Sequence, residues 1–144
     1  MITIKNFEKA IKQFDKRESR TNFFLLAQNL MKNGFEVEAM LLILSTWNFA
    51  TFRYAVKSFD VLNFKKVIKS LEANFEKLEG KKFLKVDYDA HVKDLKTIFQ
   101  SLSKINGVGY TGAPKIMHLK NPDLFVMWDG FIRGEKPTKY YSQL

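Results

Sequence analysis

The chain contains no cysteine, which removes disulfides, thiolate nucleophiles, zinc fingers and cysteine-ligated iron–sulfur clusters together. Histidine is almost as scarce. His91 and His118 fit neither a His-x-x-x-His nor a His-x-Glu pattern, so a metal centre would rest on carboxylates alone, and no metal or other cofactor is expected. With 7 glycines and 3 prolines in 144 residues there is no Gly/Ser linker, and no internal repeat or low-complexity segment breaks the chain. No apolar run approaches the roughly 18 residues of a membrane span. The longest, Ala39 to Leu44, is closed by Ser45 and Thr46. The start, Met1-Ile-Thr-Ile-Lys-Asn-Phe-Glu, lacks the basic, apolar and small-residue order of a secretory signal, so an intracellular, cytoplasmic location is expected.

What is present is apolar mass and positive charge. Hydrophobic residues make up 46% and aromatics 15%, enough to build a core in a chain one domain long. Lys and Arg number 24 against 15 Asp and Glu, a net charge of +9. Such an excess points to a polyanion partner, because each neutralised phosphate releases a counterion. Solubility alone remains the plainer account of the same charge.

Apolar residues recur at helical spacing nearly throughout. Ile4, Phe7, Ile11 and Phe14 define an amphipathic first helix over residues 4–18, with Lys5, Lys9, Lys12 and Lys16 on its other face. Thr21 is suited to cap a second helix that ends before Gly34, and Phe35 to Ser45 is apolar on nearly all sides, as in a helix buried centrally. Phe52, Ala55, Val56 and Phe59 extend a further helix. Asp60 or Asn63 then caps a long one carrying Phe64, Ile68, Leu71, Phe75 and Leu78, stopped by Gly80. Residues 81–88 read as a loop, and Asp87 or Asp89 caps a helix with Val92, Leu95, Ile98, Phe99 and Leu102 inward. The sum is an all-α fold, a single compact multi-helix domain over 1–144 with seven or eight helices. The polar tail, 134–144, is expected to be loosely ordered.

Chemistry concentrates between Ser103 and Arg133. In Ile105-Asn-Gly-Val-Gly, Gly107 and Gly109 can take positive φ and let the backbone approach another molecule. The helix starting near Tyr110 would offer free N–H groups and a partial positive charge to a phosphate. Pro114 is read as lying in that helix's first turn, where no N–H is yet committed. A helix before the turn excludes a dinucleotide-binding Gly-rich loop, and the missing Gly-Lys-Ser/Thr excludes a P-loop. Asp129 follows the apolar run Phe125-Val-Met-Trp; it is a candidate catalytic acid or the N-cap of a last helix. Lys115 is placed to contact a phosphate, Tyr110 to stack or to pack with its hydroxyl in water, and His118 to face the helix C-terminus. Trp47, beside small polar residues, is open to stacking on a base or to packing in the core.

The segment Ile105-Asn-Gly-Val-Gly-Tyr-Thr-Gly-Ala resembles the hairpin of the helix-hairpin-helix base-excision DNA glycosylases, the HhH-GPD superfamily of endonuclease III and the adenine-specific mismatch glycosylase. The family pattern Leu-Pro-Gly-Val-Gly-x-x-x-Ala leads to an invariant Asp that opens another helix. Here Asp129 stands 18 residues after Thr111 (129 − 111), the family spacing, with Gly130 following as in the adenine-specific branch. Gly34 to Ser45 is similar to the family's buried helix ending in Leu-Ser, so the likeness spans residues 34–133. The resemblance implies a hairpin motif at about 97–119, double-stranded DNA as partner and a nucleoid-associated location. It implies backbone contacts from Gly107, Gly109, Tyr110, Thr111 and Lys115, a base contact from Trp47, and catalysis by Asp129.

Two departures shape the expectation. Thr111 stands where bifunctional members carry a Schiff-base lysine, and threonine forms no imine, so the implied enzyme is monofunctional, with Asp129 stabilising an oxocarbenium ion while water attacks. Family enzymes continue with further helices past the Asp, where this sequence has only Gly134 to Leu144. Three readings follow: a monofunctional DNA glycosylase, a non-catalytic DNA-binding protein on the same fold, and an interaction module without a nucleic-acid role.

Overall fold

The computed structural model describes residues 3–127, and within them the chain is helical, with no strand. Asp129 and the 134–144 tail lie outside the described residues. The order is α1 (Ile4–Arg17), α2 (Thr21–Lys32), α3 (Glu36–Trp47), α4 (Phe49–Ala55), a 3-10 turn (Val56–Ser58), α5 (Val61–Ser70), α6 (Glu72–Glu76), α7 (Tyr88–Ser103) and α8 (Gly109–Lys120). None of these helices is long and apolar enough to cross a membrane.

Side-chain caps set several starts. The Thr3 hydroxyl accepts from the Asn6 N–H at 3.2 Å, Asp60 from Asn63 at 2.9 Å and Asp87 from Ala90 at 3.1 Å, each satisfying a donor that has no acceptor inside its own helix. Thr21 does not cap α2: it is the first helical residue, Arg20 holds the cap position, and the Thr21 hydroxyl is buried without a partner. The helix expected over 60–79 is broken at Leu71 into α5 and α6. There the Leu71 N–H is shared between the Val67 and Ile68 carbonyls, a tightening that turns the chain while Leu71 stays in the core. Pro114 is also deeper than expected, because α8 starts at Gly109 and the ring falls inside the helix instead of in its first turn.

The core is built around α3. Ala39, Met40, Ile43 and Leu44 are fully buried, and α2 and α8 pack on this helix from the two sides that its apolar girth provides. Helix α7 adds Ile98, Phe99 and Leu102, and packs on α8. The loop after α6 and the segment after α8 are tied together. Asn121 donates to the Leu78 and Lys81 carbonyls at 3.0 and 3.2 Å, and the Phe83 N–H donates to Asp123 O at 2.9 Å. Lys120 pairs with Glu36, joining the C-terminal end of α8 to the N-terminal end of α3, where each charge suits its helix dipole.

One carboxylate is buried in this frame. Asp94 accepts from Asn74 Nδ2 at 2.8 Å and from Lys77 Nζ at 3.0 Å, tying α7 to α6 and the turn after it. The Asn74 and Lys77 donors hold its carboxyl below the ordinary value of 3.8. A depressed folded-state pKa contributes stability that is complete above the unfolded value and is lost as pH falls through the folded one. Asp94→Asn should therefore lower the urea midpoint at pH 7, and the gap to the native chain should narrow as pH falls below the ordinary 3.8 in denaturation followed by circular dichroism.

Candidate nucleic-acid interface

Helices α7 and α8 form a hairpin joined by residues 104–108. Ile105 and Val108 point into the core, and the Val108 and Gly109 N–H groups both reach the Ile105 carbonyl, at 3.0 and 3.4 Å. The two glycines carry the only positive φ values in the turn, +89° at Gly107 and +62° at Gly109. Their surroundings differ. A Cβ on Gly107 would lie 2.8 Å from the Ala55 Cβ, with Phe52 and Phe59 close behind. That glycine is therefore needed twice, for its backbone and for packing against α4. A Cβ on Gly109 would meet nothing nearer than the Thr51 methyl at 3.9 Å, so this Cα faces open space.

The turn is held from inside by a residue to which sequence reasoning gave no role. Asn48, at the α3–α4 junction and only 3% exposed, donates Nδ2 to the Gly107 and Val108 carbonyls, both at 3.2 Å. Its Oδ1 accepts from the Thr111 hydroxyl at 2.8 Å. Every polar atom of the amide is used, and the Asn48 backbone carbonyl also accepts from Thr51 and Phe52 at the start of α4. Gly112 lets this happen: a Cβ there would lie 2.8 Å from Asn48 Nδ2 and 3.1 Å from Leu44. On the outside, Asn106 Nδ2 reaches the Ser58 hydroxyl at 3.3 Å. The signal was a lone Asn following an apolar run, a residue type that buries rarely unless each of its hydrogen bonds is matched.

On its exposed side the turn leads into the first-turn N–H groups of α8. Those of Tyr110 and Thr111 find no acceptor among the described residues, and that of Gly109 makes only its long bond to Ile105. This is the positive end of α8, and the half-exposed Tyr110 ring rests beside Phe99 with centroids 5.9 Å apart. Next to Gly109, α4 presents Phe49, Arg53 and Tyr54 to solvent. The Arg53 guanidinium lies 5.7 Å from the Phe49 ring and 4.6 Å from the Tyr54 ring, and donates to the Tyr54 hydroxyl at 2.7 Å. Lys104, at the end of α7, is exposed beside the same turn.

The other residues singled out from sequence are placed as follows. Thr111 faces Asn48, so its hydroxyl serves the fold. Lys115 is 8% exposed, in a stretch of α8 buried from Gly112 to Met117, rather than on the surface where a phosphate would sit. Trp47 ends α3 partly buried, donating its indole N–H to Arg20 O at 3.2 Å, with the Arg20 guanidinium 4.5 Å over the ring. His118 Nδ1 lies 2.5 Å from Phe125 O, which makes it the donor that fastens the segment after α8. Its ring also packs on Phe24. Asp129 lies outside the described residues. Thus Gly109, Tyr110 and Thr111 come together at one helix start, whereas Trp47 and Lys115 are engaged within the fold.

No family model, curated protein or solved structure matches the chain.

Removing the Asn48 amide leaves the buried Gly107 carbonyl and the Thr111 hydroxyl without partners, while the Val108 carbonyl keeps only the Gly112 N–H. Asn48→Ala should cost about 2–4 kcal/mol in urea denaturation and speed hydrogen exchange at residues 107–112 ahead of the rest of α8. Gly107→Ala should be the more damaging glycine change, because a clash with Ala55 adds to the backbone strain. Gly109→Ala should cost only the strain of positive φ, about 1–2 kcal/mol.

Proposed function

We propose that the chain is a DNA-binding helix-hairpin-helix protein that grips the phosphate backbone of a duplex at the start of α8. One observation carries this reading. The Tyr110 and Thr111 N–H groups stand without acceptors among the described residues in the first turn of α8, at a turn that the buried Asn48 amide fixes in place. Such an array suits an anion, and a phosphate can approach closely because Gly109 has no side chain there. The +9 charge supplies the attraction, with Lys104 exposed at the end of α7 next to the turn and Arg53 exposed on α4, whose Thr51 approaches Gly109.

A second reading rests on the sequence resemblance and on the spacing of Asp129 from Thr111. It makes the protein a monofunctional base-excision glycosylase, with Asp129 as the electrostatic and acid–base group. The Thr111 hydroxyl, bonded to Asn48, is consistent with hydrolysis instead of an imine route.

Duplex affinity should fall steeply with salt, and Arg53→Ala and Lys104→Ala should each reduce the slope of log K against log salt by about 1. Affinity independent of ionic strength would end both readings. For the second, the protein is incubated with duplexes carrying uracil, 8-oxoguanine, alkylated bases or mismatches, and abasic products are cleaved with alkali. Excision is expected with at least one and should vanish in Asp129→Asn without loss of binding. No cleavage from any duplex would leave the binding reading alone.

A further inference from the structure

Helix α1 is an amphipathic helix with nothing among the described residues covering its apolar face. Ile4, Phe7, Ile11 and Phe14 are 80%, 60%, 44% and 53% exposed, and no residue of α1 is buried. Four large apolar groups in water on one stripe are unusual for an isolated soluble domain and mark a contact surface. The same chain offers a place for them. Between α2, α3 and the α4 region lies an apolar groove of about 620 Å³, lined by Leu26, Leu41, Leu42, Val56, Phe59 and Val61 among others.

We propose that this groove takes the α1 helix of a second copy, so that two chains exchange first helices in a symmetric dimer. The connection between α1 and α2 favours exchange over folding back. It is only Glu18 to Arg20, and it is fixed by three hydrogen bonds from Arg20 to the Glu18 carboxylate, at 3.0, 2.7 and 2.6 Å. Arg20 is itself held over the Trp47 ring, and its carbonyl accepts the indole N–H. A short hinge locked in this way directs its helix outward, the arrangement that leads to swapping.

Charge selects the occupant. Glu8 and Asp15 stand one turn after Ile4 and Ile11, at the edge of the stripe, and Arg17 stands one turn after Phe14. Carboxylates at that edge oppose an anionic lipid surface and suit Lys57, exposed beside Val56, while Arg17 suits Glu38 in the groove wall. The lysines of α1, on the far face, remain in water. Two such contacts per dimer bury an area on the order of the 1,200–2,000 Å² typical of specific interfaces.

Sedimentation of the full chain over a range of concentrations tests this without nucleic acid, and so independently of the proposed function. The expected result is a reversible dimer of twice the 16.8 kDa chain. Phe7→Asp with Ile11→Asp, on α1, and Leu26→Asp, on the groove, should each weaken it at least tenfold while the circular dichroism spectrum is kept. Because the chain has no cysteine, Ile11→Cys and Leu26→Cys chains can be mixed under oxidising conditions. A mixed disulfide in excess over either homodimer is expected. A monomer at every concentration, a dimer indifferent to both sets of changes, or a monomer whose α1 binds anionic vesicles would overturn the proposal.

Discussion

The Asn48 side chain is the contact on which the rest of the arrangement turns. The residue lies between α3 and α4, its backbone carbonyl accepts at the start of α4, and its side-chain amide fixes the α7–α8 turn with both N–H donors and the oxygen engaged. A buried amide is unfavourable unless fully matched, so partial occupancy of this site is not a stable alternative. The turn therefore has one conformation or loses its anchor. That requirement propagates outward: Gly112 must be glycine for the amide to fit, and Gly107 must be glycine for the turn to lie on Ala55.

Fixing two carbonyls inward also fixes the electrostatics of the surface. The Tyr110 and Thr111 N–H groups lie in the first turn of α8, where no preceding carbonyl accepts them, so a fixed turn fixes where these donors stand. The exposed end of α8 becomes a patch of donors without any charged side chain having to be placed there. The general charge of the chain does different work. Lysines spread along α1 and α5 create a broad positive field without a preferred direction. Orientation needs short-range directional donors, and among the described residues the turn is where they are gathered.

Much of the helix plan was legible because it follows from periodicity and caps. Helix α1, the Asp87 start of α7 and the positive φ of Gly107 and Gly109 were all readable from residue type and position. What escaped depended on partners far along the chain. Asn48 meets the hairpin across 59 to 63 residues, a pairing no local pattern announces. Trp47 was open between base and core, and only the neighbouring Arg20 shows how its indole is used. The break at Leu71 has no Gly or Pro to signal it, and the spacing of Phe64, Ile68, Leu71, Phe75 and Leu78 would put them on one face of an unbroken helix, so the apolar pattern hides it. Lys115 looked like a surface cation because lysine usually is one, whereas its helix is buried almost all round.

The sequence separates two kinds of apolar periodicity that only the structure tells apart. The stripe on α7 and the stripe on α1 have the same spacing, yet Ile98, Phe99 and Leu102 are buried while Ile4, Phe7, Ile11 and Phe14 are not. A hydrophobic stripe records that burial is favourable, worth about 1.5–3 kcal/mol for a large side chain, but not which surface supplies it. Helix α7 finds its partner in α8 because they share a short turn that folds them together. Helix α1 is joined to α2 through the Glu18–Arg20 contact and finds no such partner among the described residues, so the energy its stripe could release is not drawn on by them.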